Sequence, residues 1–315
     1  MSAEMQDNWI ASFWRRISAL AIDIVIFGFV GFVLGHFFGD IFAQMGSWGR
    51  MVGFVIGLIY FGVMNSSLFA GQTIGKRLLN ISVVDAENQT ISLVRSVLRY
   101  TVLAMPFTLN STYLPDKSTS YLLIYPLSLI VLGGMFAIIY LYLFNRATRQ
   151  SLHDFVVGTF VVNTYSVKQE TSKIWKAHLI IVAIAFIAAT IAPAFIVKLL
   201  TDEPYKAMFA ASSALSNEPR IMSVNVTTTY QTIIGDNIES QQTTYVSAKA
   251  WLASNNVVDS EFAQHLANIV VQHYPEAKQT DAIKITLAYG YDIGIWSQWY
   301  RYTRTFDPNA LGSME

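Results

Sequence analysis

Two acids occupy unusual positions in this sequence. Asp23 interrupts the apolar run Ile17–Phe38, and Arg16 stands seven residues before it. In a helix that spacing is two turns, about 10.5 Å along the axis, on nearly the same face. A charged side chain at the centre of a membrane span costs about 2.5–3.5 kcal/mol on insertion scales, so Asp23 should face other helices or water. Two chemistries suit it. One is a carboxylate that binds an ion or proton, raised by desolvation and lowered by a nearby cation. The other is a structural partner for Arg16, Lys76, Arg77 or Arg99. Asp154 follows His153 just beyond another apolar run. That pair reads either as a proton-handling site, because histidine titrates near neutrality, or as a cap that anchors the next strand. Gly71, Thr73, Gly75 and Lys76 invite a phosphate-loop reading, but GQTIGKR is one residue short between its glycines. Arg77 also stands where that loop needs Ser or Thr for magnesium. No cofactor is expected.

The elements that must carry these residues follow from composition. Of 315 residues, 53% are apolar, 13% are charged and none is cysteine, with a mean hydropathy of +0.40. Soluble domains carry about 25% charged residues. The balance excludes a disordered chain, a disulfide framework and cysteine chemistry, and it points to a membrane. A span needs about 20 apolar residues. Ile17–Phe38, Met51–Ala70, Tyr121–Phe144 and Ala177–Val197 meet this. Val97–Leu114, with Arg99, Pro106 and Asn110, is either a further span or a re-entrant segment. Glycines at 28, 31, 35 and 39, with Gly53 and Gly57, read as close helix packing.

Lys and Arg near span ends set orientation. Eleven fall in the N-terminal tail and in stretches 71–100 and 145–176, against two in the other two connections. The N-terminus and both long stretches are therefore expected in the cytoplasm. That requires Val97–Leu114 to cross and places residues 201–315 outside. Residues 1–200 carry 14 Lys and Arg against 9 acids, and residues 201–315 carry 7 against 12. No basic stretch suggests nucleic acid. The first apolar run is too long for a cleaved leader, contains an acid and lacks a clear cleavage site.

Gly71–Val84 and Arg149–Val162 align at an offset of 78, with seven similar positions in fourteen. The alignment suggests a core of two spans plus a motif, doubled in parallel orientation. Unrelated amphipathic linkers are the plainer alternative. Both segments end in β-prone runs, Ile81–Val84 and Thr159–Val162. The first reads as one arm of a hairpin whose second arm is Thr90–Leu93.

FWRRISALAID (13–23), GQTIGKRLLNISVVD (71–85) and RQSLHDFVVGTFVV (149–162), in this order, resemble the RDD family of bacterial integral membrane proteins. Arg16, Asp23 and Asp154 match the arginine and two aspartates that name the family. The resemblance covers roughly residues 9–165 and implies a multi-pass protein of the bacterial cytoplasmic membrane. Cation/proton antiport is the activity it implies.

The expected fold class is therefore a membrane α-helical core of about five spans plus a C-terminal soluble α+β domain. The divisions are 1–165 for the core, 166–200 for a linker and fifth span, and 201–315 for the outer domain. In the last, Met222–Tyr230 and Ile283–Tyr291 alternate as strands, and Trp296, Tyr300, Tyr302 and Phe306 share a face. Val258, Phe262, Leu266, Ile269 and Tyr274 recur at helical spacing before Pro275. Glu261, His265 and His273 lack a zinc-binding HExxH pattern, and no enzyme signature stands out. Two functions follow: a transporter of small ions or solutes, handling cations and protons, or a non-enzymatic assembly or sensor protein. The lipid bilayer is the expected partner, with a second copy or an envelope protein as further partners.

Overall fold

The computed structural model describes residues 9–110, 117–170, 173–203, 205–235 and 238–311. They form two compact units, one of Met1–Phe37, Ser47–Pro193 and Ile293–Trp296, the other of Phe38–Gly46, Ala194–Asp292 and Ser297–Glu315.

The first unit is built on long apolar helices. Helix α1 (Phe13–Gln44) runs past the expected end, with non-helical backbone at Phe38 (φ −124°, ψ 15°). Helix α2 (Arg50–Met64) stops short of the expected Ala70. The reason is a tight reversal in which the Gly71 N–H donates to the Ser66 carbonyl at 2.9 Å and Ala70 and Gly71 take positive φ (54° and 71°). A Cβ on Gly71 would meet the Val83 carbonyl oxygen at 2.3 Å, so only glycine fits. Helix α3 (Ile74–Leu78) starts at Thr73, whose side chain caps Lys76 N–H. Strand β1 (Ile81–Asp85) follows. Helix α4 (Leu93–Leu109) is capped by Ser92. Helices α5 (Lys117–Ser128) and α6 (Gly134–Phe144) are joined through a π turn at Leu129–Gly133. Helix α7 (Leu152–Val157) ends on left-handed Gly158 and leads into strand β2 (Thr159–Asn163). Helix α8 (Lys176–Thr201) completes the series.

Among the described residues, four helical stretches are long and apolar enough to cross a membrane: Phe13–Gln44, Gly46–Met64, Leu123–Phe144 and Lys176–Ile196. They leave Val25, Phe29, Ile59, Ile184, Ile187 and Phe195 exposed. Apolar surface on that scale is suited to lipid rather than water. The expected span Val97–Leu114 coincides with the 17-residue α4, and its last residues, 111–114, lie outside the described residues.

The expected hairpin after β1 is corrected. Thr90 makes one isolated bridge to Val84 and Leu93 begins α4. Strand β1 instead pairs antiparallel with β2, from Ile81↔Asn163 to Asp85↔Thr159. The Ser92 cap commits Leu93 to a helix, and among the described residues the strand that pairs with β1 along its length, β2, comes from the other motif.

The second unit contains α9 (Tyr205–Leu215), β3 (Ile221–Gly235), β4 (Ile238–Leu252), α10 (Ser260–His273), β5 (Ala282–Asp292) and β6 (Ser297–Phe306). The sheet order is β3-β4-β5-β6, with β4 and β5 parallel and the other pairs antiparallel. The parallel pair requires a crossover, which α10 supplies. Its apolar stripe (Phe262, Leu266, Val270) shares one core with Val224, Val246, Ile283 and Ile285. Strand β4 escapes a sequence reading because alanines at 248 and 250 fill its inward positions, too small to mark an alternation.

Candidate functional site

Helix α1 brings Arg16 and Asp23 into the first unit on one face, yet they do not pair. Asp23 is 1% exposed. Its Oδ1 accepts from the Tyr60 hydroxyl at 2.8 Å and the Gly75 N–H at 2.9 Å. Its Oδ2 accepts from the Thr73 hydroxyl at 2.7 Å. The start of α3 is therefore wrapped around this carboxylate. Gly75 allows the approach, since a Cβ there would meet the Ala19 carbonyl oxygen at 2.1 Å. This accounts for the glycines and threonine of GQTIG without a phosphate: the amide that a phosphate loop would offer is already bound to Asp23. Of the two readings of Asp23, the structural one named Arg16, Lys76, Arg77 or Arg99 as its partner, and that partnership is corrected: among the described residues its hydrogen bonds come from neutral donors, two of them supplied by the start of α3.

The arginines converge on the other acid. Arg99 donates to Asp154 Oδ1 from Nε at 2.9 Å and from Nη2 at 2.6 Å. Arg16 Nη2 donates to Oδ2 at 2.9 Å, and another Arg16 nitrogen donates to the Arg149 carbonyl. The Thr159 hydroxyl adds a bond to Oδ1 at 3.1 Å. Burial alone would raise the Asp154 carboxyl, but Arg99, His153 and Arg16 together hold it well below the usual carboxylate range. Asp154 is thus an ionised hub joining α1, α4 and α7.

His153 and Lys76 are the less satisfied members. The His153 Nε2 lies 3.5 Å from Asp154 Oδ2, while its Nδ1 is buried with no hydrogen-bond partner. Burial pushes the imidazole down to about 3, so it is neutral at physiological pH. The Lys76 Nζ donates to Asn65 Oδ1 at 2.6 Å. Among the described residues no carboxylate lies within ion-pair distance of it. Burial, with Arg99 adding repulsion, lowers Lys76 to about 7.

Arg16, Asp23, Asn65, Lys76, Arg99 and His153 all line one cavity of about 540 Å³, whose remaining wall comes mostly from apolar residues of α1, α4 and α6. Three basic side chains thus stand with the one carboxylate of Asp23 at one end of a largely apolar hollow. The sequence singled out Arg16, Asp23, Lys76, His153 and Asp154, and named Arg99 only as a partner. Tyr60, Asn65 and Thr159 carried no signal, since each is an ordinary residue type in its stretch. No group of three or more His, Asp or Glu suited to a metal ion occurs among the described residues.

Compared with known proteins, residues 10–158 match the model of the RDD family. No curated protein and no solved structure matches the chain.

Proposed function

Since residues 10–158 match the RDD family, we propose that this membrane protein transports a small ion or solute, with the cavity beside Lys76 as its binding site. The observation that carries the reading is the half-buried Lys76 side chain, whose one hydrogen-bond partner among the described residues is the neutral Asn65. A bundle held together only for rigidity gains nothing from an ammonium placed there, whereas a carrier gains a proton that leaves or arrives with the solute. Cation/proton exchange is one form: a monovalent cation beside Asp23 as the proton leaves Lys76. Anion entry with a proton retained on Lys76 is the other. The rival reading, an assembly or sensor protein, is favoured by the complete hydrogen bonding of Asp23 and Asp154 and by a second unit with its own core.

The proposed topology has five crossings, counting α4, in the bacterial cytoplasmic membrane. The N-terminus lies in the cytoplasm and residues 201–315 outside, in keeping with the Lys and Arg distribution. A doubled two-span core is part of the same proposal. Its support is that α3 and α7 begin 78 residues apart, as do β1 and β2.

The test is flux. Purified full-length protein is sealed into vesicles containing a pH-sensitive dye and offered sodium, potassium, chloride or phosphate in turn. A luminal pH change above that of empty vesicles is expected with one class, and it is expected to vanish in Lys76→Met and Asp23→Asn. Equal signals from wild type, both variants and empty vesicles would remove the transport reading.

A further inference from the structure

Resting on the reading of the cavity as a binding site, we propose that its occupant is an anionic amphiphile taken from the bilayer. The head lies against Lys76 and Arg99, and the chain runs between α1 and α6. Charge is the first argument. At the polar end Arg16, Lys76 and Arg99 line the cavity with the single carboxylate of Asp23, and Asp154, outside the lining, is committed to Arg16 and Arg99. Lys76 is left facing the cavity with one neutral partner. Basic pockets between membrane helices suit anionic headgroups, each Lys or Arg near the surface adding about 1 kcal/mol.

The wall is the second argument. Away from the charged end it is made by Leu20, Ile24, Phe107, Ile139 and Leu143. These five are exposed by 41, 59, 42, 47 and 48% respectively, so the apolar side of the cavity opens on the flank that faces lipid. An acyl chain fits such a wall without leaving the membrane. The volume of about 540 Å³ lies within the range of pockets that enclose a drug-sized molecule, about 300–1,000 Å³.

Phosphatidylglycerol carries one negative charge on its head, which makes it the probe of choice against zwitterionic phosphatidylcholine.

The experiment offers the full-length chain, in neutral detergent, equimolar phosphatidylglycerol and phosphatidylcholine, and counts bound lipid by native mass spectrometry. Wild type should retain one phosphatidylglycerol in preference to phosphatidylcholine. Lys76→Met should lower that preference by roughly fivefold or more, the worth of about one cationic contact. Leu20→Trp, which fills the apolar wall and leaves every charge in place, should lower occupancy too. Equal retention of the two lipids, or an unchanged preference in both variants, overturns the proposal. Displacement by millimolar inorganic phosphate would assign the charged end to a soluble anion and also overturn it. Lipid selectivity without vesicle flux leaves this inference standing and removes transport, and flux without lipid selectivity does the reverse.

Discussion

Asp23 and Asp154 are both buried, but Asp23 is held by two hydroxyls and an amide, while Asp154 is held mainly by two guanidinium groups. The difference decides what each substitution does. Removing the charge of Asp154 leaves Arg16 and Arg99 together in a buried place, and breaking such an arrangement costs about 3–5 kcal/mol. Asp154→Asn is therefore expected to lower the thermal unfolding midpoint in detergent sharply, and a midpoint within a degree or two of wild type would contradict the hub. The carboxyl is depressed in the folded state, so its contribution is complete above the ordinary carboxylate range and is lost only in strong acid. Lys76 behaves oppositely. Its ammonium falls from 10.5 to about 7 on folding, so the unfolded chain binds more protons between those values and stability rises with pH across that window. Arg16, Asp23, Arg99 and Asp154 are the charged groups that face it. Lys76→Met should flatten the rise in unfolding midpoint between pH 7 and pH 10, and parallel curves for the two proteins would show that the group is not buried as described.

Among the elements, the β1–β2 ladder ties the two aligned motifs, 71–84 and 149–162, together. Its register is centred on Val83↔Val161, two positions 78 residues apart. The pairing of one motif's strand with the matching strand of the other is what a local twofold relation produces. Val83 N–H donates to the Gly71 carbonyl at 2.9 Å, away from β2. Val83 and Val161 are therefore a non-hydrogen-bonded pair, for which antiparallel Cα atoms lie about 4.5 Å apart, within reach of a disulfide. The chain has no cysteine, so Val83→Cys with Val161→Cys is a clean test. Oxidation should close a bond seen as a mobility shift reversed by reductant, whereas Thr90→Cys with Val161→Cys should not. Failure of the first pair to cross-link would break the register. The two-arm hairpin expected after β1 was a plausible local reading, but local β-propensity carries no information about a partner 78 residues away.

For the whole molecule, the parity of the crossings is the question that composition poses and helix length sharpens. Four crossings leave both ends on one side of the membrane, and a fifth through α4 puts them on opposite sides. A reporter active only outside the cytoplasm, fused after Glu315, should be active, and the same reporter ahead of Met1 silent. Activity at neither end or at both would remove α4 as a crossing. The Lys and Arg count argues for the odd number, because stretches 71–100 and 145–176 both carry clusters and a crossing by α4 lets both lie on one side.

Apolar run length, charge placement and the three motifs are local properties of the chain, and they are enough to identify a membrane protein that resembles this family over residues 10–158 and to single out Arg16, Asp23, Lys76, His153 and Asp154. The alternation and helical spacing in residues 222–306 likewise announced strands and a helix, because burial on one face leaves a period in the sequence. Which acid meets which cation was settled only in three dimensions. Arg16 lies on the same face of α1 as Asp23, yet Tyr60 and the start of α3 present three donors to Asp23 and α7 presents Asp154 to Arg16 and Arg99. Those choices depend on distances between elements far apart in the chain, and a buried ionised group takes whichever partners the packing brings within about 3 Å.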